Sequence, residues 1–376
     1  MWYLRGDTFL LIAAFSIAVA VLRKLLPQKV MGTLLPAAEI ALIALISVKL
    51  AVLYAVYAAL GIFSTWCLLK IRKKALFAGF CILAAAPFFI GRLDAFGLSV
   101  PTWFEGVGIA FAMLKAIDAL YYVYYSGEAV PPLVYINYML FLPVFTAGPI
   151  FRYRDFKKTF ESPIALNAAE VTNDVKRMIR GMFKKVVLAE IAVTALNQLL
   201  LKNSSVFISV AVTILSYFIL FFDLSGYSDI AIAFGRLAGY DVPENFKRPL
   251  LAPSFTQFWR SWHASLSDWI REHKYVVVAK KKLGKPATAL IAFFTMVVMS
   301  LWHGFNLPYL LAGAYNGVLL MGENLLSLTT VNAKKTKKSI FYLRCLAVNF
   351  LFALNTLVFT LPPEKVAEVL RGFFKI

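Results

Sequence analysis

Residues Phe293 to Phe305 read FFTMVVMSLWHGF, an apolar run that carries a single imidazole, His303, near its end. Such a run is the text of a helix buried in a membrane. An ionisable ring at that depth loses its hydration and needs a partner or a task, so His303 is a functional candidate on physical grounds alone. The chain has three histidines, and two of them follow a tryptophan, at Trp262-His263 and Trp302-His303. The third is His273.

The same apolar text recurs along the chain. Of its 376 residues 60% are hydrophobic and only 16% charged. Apolar runs lie near 9–22, 34–48, 50–69, 75–91, 105–125, 205–222, 287–303, 307–327 and 340–361. At about 20 residues per span, this length allows roughly nine to eleven spanning or re-entrant elements. The expected fold is an all-α polytopic membrane protein, a single membrane domain over 1–376 with its catalytic core at about 131–330. The run at 9–22 is followed by Arg23-Lys24 rather than by a small-residue cleavage site, so it reads as a retained first span.

Lys and Arg number 39 against 20 Asp and Glu, a net charge of +19. In a soluble chain that excess would suggest nucleic acid. Here the basic residues cluster between apolar segments, as at Lys70 to Lys74, Lys176 to Lys185 and Lys334 to Lys338, which is the positive-inside pattern of a membrane protein. Cys67, Cys81 and Cys345 are scattered, without metal-ligand spacing, and read as small core residues.

Several segments depart from simple spans. The stretch 34–69 is two short elements or one long tilted one. Pro131-Pro132 breaks the chain, and 133–151 carries Pro143, Gly148 and Pro149, which points to a broken or re-entrant element whose freed backbone groups are satisfied by protein or a wet cavity. In 167–200, Val175, Met178, Ile179, Met182, Phe183 and Val186 recur at helical spacing opposite Lys176, Arg177, Arg180, Lys184 and Lys185. That pattern fits a helix in the membrane interface or one packed on the bundle surface. Phe222 to His273 is the densest polar text. Asp223 and Asp229 need partners there, and Arg236 and Arg248 are nearest in sequence. Residues 255–273 read as one amphipathic helix with Trp259, Trp262, Leu266, Trp269 and His273 on one stripe.

No nucleotide-binding fingerprint, Walker motif, zinc-protease motif or nucleophile elbow is present. A metal site built on histidines with Asp229 or Asp268 matches no local spacing. What remains is a pair of imidazoles in Trp-His contexts, near carboxylates and small polar residues. A neutral imidazole in a low-dielectric site can act as general base on a hydroxyl, and attack of that hydroxyl on a thioester is acyl transfer.

At this point the motifs carry a resemblance. F-D-L-S-G-Y-S-D (222–229), P-E-N-F (243–246), F-W-R-S-W-H-x-S-L-S-x-W (258–269), W-H-G (302–304) and, upstream, A-G-P-I-x-R-Y (147–153) together resemble the membrane-bound O-acyltransferase family, in particular its bacterial branch that modifies cell-envelope polymers. The resemblance implies a multi-helix body around a transmembrane tunnel, with His303 as the catalytic histidine near the tunnel's middle and His263 as a second active-site histidine. His273 matches no catalytic position and reads as structural. Asp223, Ser225, Tyr227, Asp229, Trp259 and Trp302 are the candidates for substrate binding or for support behind the histidines. Pro149 and Arg152 fit a structural turn.

Two branches of the family compete. One D-alanylates teichoic acid from a phosphopantetheine carrier protein. The other O-acetylates alginate or cellulose and has a Pro-Leu-Gly-Gly stretch after its Trp-His helix. This chain has Tyr275-Val276-Val277-Val278-Ala279-Lys280-Lys281 there, which leans towards the first. The resemblance implies an acyl thioester donor on phosphopantetheine of a cytosolic carrier protein or on coenzyme A, with no cofactor bound by the chain itself and no metal. It also implies an extracytoplasmic or membrane-anchored partner, contact with membrane lipids and none with nucleic acid, and a multi-pass location in the cell membrane. Lys280, Lys281 and Lys282 are the expected docking patch for an acidic carrier. A transporter or translocase of an envelope-polymer precursor, and a non-catalytic subunit of an envelope-synthesis complex, are the rival readings.

Overall fold

A computed structural model describes residues 15, 17–19, 21–22, 25–99, 108–278 and 283–375 of the chain. The apolar run at 9–22 lies largely outside the described residues. Among those described, the secondary structure is helical with no strand, the all-α architecture expected. The chain packs as two units, one of Met1–Met178 with Ile230–Pro243, the other of Ile179–Asp229 with Glu244–Ile376.

The first unit opens with α1 (Gln28–Ile46) and α2 (Val48–Lys70). Between them Ser47 is extended, φ −160° and ψ 110°, and its hydroxyl accepts from Leu50 N at 3.2 Å. The stretch 34–69 is therefore two helices, divided where a serine caps a free N–H in the first turn of α2. Next come α3 (Lys74–Ile90), α4 (Ile109–Ser126) and α5 (Pro132–Leu140), then a 3-10 turn at Leu142–Val144 and α6 (Tyr153–Glu161).

The segment 133–151 is broken, and protein side chains satisfy it. Asn137 Nδ2 donates to Gly32 O at 2.8 Å and Leu133 O at 2.7 Å, and Lys115 Nζ donates to Met139 O at 3.4 Å. Leu142 N donates to Glu39 Oε1 at 3.2 Å, and Tyr153 N to Asp118 Oδ2 at 2.5 Å. Glu39, Lys115 and Asp118 are buried, so three ionisable groups serve backbone that hydrocarbon would leave unsatisfied at a cost of several kcal/mol each. Phe141, Phe156 and Tyr240 stack beside them, the last two at 4.9 Å.

Residues 167–200 form α7 (Ala168–Met182), a π-helical turn at Phe183–Leu188 and α8 (Ala189–Leu200). Val175, Ile179, Phe183 and Val186 are exposed and Met178 and Met182 half-buried, so most of the apolar stripe is not spent on packing, which favours the interfacial reading over the surface-packed one. The long helix α9 (Val206–Leu237) then runs without interruption through the polar motif at 222–229. At 1.5 Å per residue it is about 48 Å long.

The partners of the α9 carboxylates differ from expectation. Lys184 Nζ lies 2.7 Å from Asp229 Oδ2 and Lys185 pairs with Asp223, two lysines that periodicity places on the solvated face. The wider π turn inserts a residue and swings two consecutive side chains towards α9. Gly226 makes this approach possible, because a Cβ there would sit 2.6 Å from Gly181 O and 3.0 Å from Lys185 Cβ. Arg236 pairs instead with Asp174 at 3.0 Å, and no ion pair of Arg248 with either carboxylate is formed among the described contacts. Two helical turns separate Arg236 from Asp229 along α9, so closeness in sequence places them apart on the helix.

The rest of the second unit comprises α10 (Phe255–Trp259), α11 (Ala264–Val278), α12 (Lys285–Leu301), α13 (Leu307–Leu325), α14 (Lys338–Thr360) and α15 (Pro363–Gly372). Among the described residues three helices, α2, α9 and α14, are long and apolar enough to cross a membrane, and α3 and α12 are shorter apolar helices.

Candidate active site

Both tryptophan-flanked histidines lie in turns between helices, not inside them. The amphipathic stretch 255–273 is two helices, and His263 sits at the break with φ +47°, a left-handed backbone uncommon outside glycine. The break has identifiable supports. Ala264 N donates to Asn245 O at 2.8 Å, and Asn245 Oδ1 accepts from Ser265 Oγ at 2.8 Å and Ser265 N at 3.3 Å. Asn245 Nδ2 in turn donates to Ser228 Oγ at 3.2 Å, so the P-E-N-F asparagine ties the turn to α9. His263 O accepts from Leu266 N and Ser267 N and starts α11.

The short helix before this turn is held just as firmly. Glu323 of α13 accepts from Phe255 N at 2.5 Å, Thr256 N at 2.9 Å and Thr256 Oγ1 at 3.1 Å, occupying the free donors of the first turn of α10 with a negative charge. Trp262 is buried against Phe258, Phe246 and Phe352, with ring centroids 4.9 to 5.6 Å away. The rings fix the turn's depth, and the carboxylate fixes the direction of its entering helix.

His303 lies two residues beyond the end of α12, in the tight connection to α13. The helical part of the apolar run 293–305 thus ends at Leu301, and the imidazole belongs to a turn. His303 N donates to Ser300 O at 3.0 Å, Gly304 N to Leu301 O at 3.1 Å, and Ser300 Oγ reaches across the turn to Tyr309 O at 2.6 Å. Asn306 Oδ1 caps α13 by accepting from Tyr309 N at 3.0 Å. The glycine of W-H-G is required by space: a Cβ at Gly304 would meet the Tyr309 ring at 2.7 Å. The His303 ring stands edge-on to Trp302 at 5.0 Å and to Phe359 of α14 at 5.4 Å.

The two turns meet at one cavity of about 160 Å³, wholly within the second unit, lined by His263 and His303 together with Trp259, Ser300, Asn316 and Asn355 and by apolar side chains of α9, α11, α12 and α14. His303 is exposed and His263 half-buried, so the cavity has an open side at the first and a closed side at the second. No carboxylate lines it. Four buried polar atoms on lining residues have no hydrogen-bond partner among the described residues: His263 Nδ1, Trp259 Nε1, Asn316 Oδ1 and Asn355 Oδ1.

The structure brings together three of the residues singled out in the sequence: His263, His303 and Trp259. Trp302 supports the His303 ring without lining the cavity. Asp223 and Asp229 are locked to lysines, Ser225 and Tyr227 are buried in α9, and the cavity wall from that helix is Leu220 and Leu224. His273 stacks on Trp269 at 3.9 Å with its Nδ1 2.8 Å from Trp269 O, away from the cavity lining. Lys280, Lys281 and Lys282 lie outside the described residues. Asn316 and Asn355 are the residues that sequence reasoning missed. Each is a neutral amide within an apolar stretch of its helix, α13 also carrying Asn324 and α14 Asn349.

The sequence profile of the membrane-bound O-acyltransferase family matches residues 29–361. A probable alginate O-acetylase of Pseudomonas syringae is 33% identical over 228 residues, 60% of this chain and 44% of that protein. A teichoic acid D-alanyltransferase of Bacillus subtilis is 28% identical over 298 residues, 71% of this chain and 75% of that one. A peptidoglycan O-acetyltransferase of Helicobacter pylori is 31% identical over 194 residues, 50% and 36% of the two chains. The chain spans less than half the length of the alginate O-acetylases it matches.

Proposed function

Because this chain belongs to the membrane-bound O-acyltransferase family, we propose that it moves a small acyl group from a cytosolic thioester, across the membrane, to a hydroxyl of an extracytoplasmic cell-envelope glycopolymer or of a partner protein. The observation that carries this reading is the convergence of His263 and His303 on one cavity with an open side. The donor is a thioester on phosphopantetheine of an acyl carrier protein or on coenzyme A, and the chain binds no cofactor of its own.

In the proposed reaction the His303 imidazole takes the proton of the acceptor hydroxyl as its oxygen attacks the thioester carbonyl. The carbon–sulfur bond then breaks, the ester forms, and the thiolate leaves with the proton returned from the imidazolium. General-base assistance of this kind contributes about 10²- to 10⁴-fold. His263, fixed by its turn, orients the thioester or the hydroxyl, and the rigid supports around both turns hold the reacting groups in register. Ser300 and Asn306 keep His303 in place, so their effects are expected to run through its position.

The test is mass spectrometry of ester groups on envelope polymers from cells carrying the wild-type protein or His303→Ala at matched membrane levels. Loss of esters supports the reading; full esterification in the variant sinks it. A transporter in which the histidine merely packs would keep moving its substrate. We assign Lys280, Lys281 and Lys282 to carrier docking, and carrier affinity unchanged after all three are converted to Gln removes that assignment.

A further inference from the structure

We propose that a groove in the first unit seats one anionic phospholipid of the cytoplasmic leaflet, with an acyl chain along α2 and the headgroup on Lys70, Lys73 and Lys74. The groove has a volume of about 700 Å³ and lies wholly within that unit. One wall is the face of α2 from Ala59 to Leu69, and the other is the segment Ala129 to Pro132 that leads into α5. Phe63 and Trp66 are 56% and 57% exposed, so neither ring is spent on packing within the chain. Pro131 and Pro132 have no N–H to leave unsatisfied, and Pro131 O accepts from Tyr135 N at 3.0 Å, which suits backbone set against hydrocarbon.

Length and charge select the occupant. From Ala59 to Leu69 the helix rises about 15 Å, half of a hydrocarbon core of about 30 Å, so the groove is one leaflet deep. Lys70 follows Trp66 by four residues and continues the lining stripe one turn further. Arg72 brings the rest of the loop to the same end. Its Nε and Nη2 donate to Tyr124 O at 3.0 and 2.8 Å, which staples the α2–α3 connection to the C-terminus of α4, just before the second wall. Lys70, Lys73 and Lys74 are exposed, and no carboxylate among the described residues pairs with them. Glu128, beside the second wall, is taken by Lys157 at 3.0 Å. A basic connection between apolar helices faces the cytoplasm, where anionic headgroups lie, and a tryptophan one turn inside it sits at headgroup depth. An apolar slot one leaflet deep, ended by three uncommitted cations, complements a lipid of net negative charge. A zwitterionic lipid satisfies the slot but gains little from the lysines, and an acidic soluble protein would use the lysines and leave the slot empty.

The experiment is native mass spectrometry of the full-length protein in detergent, titrated with dioleoylphosphatidylglycerol or dioleoylphosphatidylcholine. The wild type is expected to retain one phosphatidylglycerol per chain about tenfold or more tightly than phosphatidylcholine. In Lys70→Gln/Lys73→Gln/Lys74→Gln the ratio falls towards one. In Lys334→Gln/Lys335→Gln/Lys337→Gln, which removes the same charge from a loop that does not line the groove, the ratio is unchanged. Ala129→Trp, which fills the groove from its loop wall, loses retention of both lipids. Elution of each variant as a single detergent-solubilised species establishes folding, and the exposed lysine variants carry the test if Ala129→Trp fails to fold. Equal affinity for the two lipids in the wild type overturns the proposal, and so does a ratio lowered as much by the 334–337 variant as by the 70–74 variant. Phosphatidylglycerol retained by both groove variants also overturns it, and a wild-type species of two chains without lipid overturns it in favour of a second copy on this face.

Discussion

At His263 one residue serves two purposes, and substitution can separate them. Its backbone is left-handed, which costs a β-carbon-bearing residue about 1–2 kcal/mol, and its side chain lines the cavity. His263→Gly removes the imidazole and relieves the backbone, whereas His263→Ala removes the imidazole and keeps the strain. Both variants are expected to lose ester transfer by at least tenfold, with the Gly variant about 1 kcal/mol more stable than the Ala variant in thermal unfolding. Equal activity to wild type in His263→Gly would show that only the turn matters. His303 was legible in the sequence because an ionisable ring in apolar text stands out, and His263 because its Trp-His pair repeats that of His303. Asn316 and Asn355 were not, although they obey the same logic, since a neutral amide in LAGAYNGVLL or FALNTLVF is less conspicuous and their convergence exists only once α13 and α14 border one space.

Among the elements, the junction of the π turn with α9 is the most exposed to test. Lys185 is nearly buried and Asp223 is one-third exposed, so removing one partner leaves a poorly solvated charge. Lys185→Met is expected to destabilise the protein by about 2 kcal/mol, and the double variant Lys185→Met/Asp223→Leu to recover most of that loss. Additive losses in thermal unfolding of the detergent-solubilised variants would show that the pair is not coupled. Gly226→Ala, which forces a methyl against Gly181 O, is expected to cost about 1–3 kcal/mol and to reduce the folded yield. The sequence revealed the breaks that proline and glycine impose, as at 133–151, and the amphipathic stripe from Val175 to Val186. It did not reveal the π turn or the break at His263. Both preserve local hydrophobic periodicity, and both are stabilised by partners distant in sequence, Gly226 on one hand and Asn245 and Glu323 on the other.

For the molecule in its membrane, charge and helix length together predict a direction within the second unit. α12 runs 17 residues from Lys285 to Leu301, about 25 Å, and α13 returns from the His303 turn to Leu325, where Lys285 Nζ meets Ser327 Oγ at 2.8 Å. Lys285 and the basic stretch at 334–338 therefore lie at the open end of this hairpin, and His303 sits at its tip. A hydrocarbon core is about 30 Å thick, so a hairpin anchored by its basic end on the cytoplasmic side carries its tip most of the way to the opposite face. The proposed acceptor hydroxyl then reaches His303 from outside, and the thioester must cross most of the core to meet it. Single cysteines test this in a background where Cys67, Cys81 and Cys345 are alanine. A membrane-impermeant thiol reagent applied to intact cells is expected to label Leu307→Cys, which is exposed beside the His303 turn, and to leave Thr336→Cys unlabelled until the membrane is opened. Labelling of both from the same side would break the link between the basic end of the hairpin and the cytoplasm, and with it the outward access to His303.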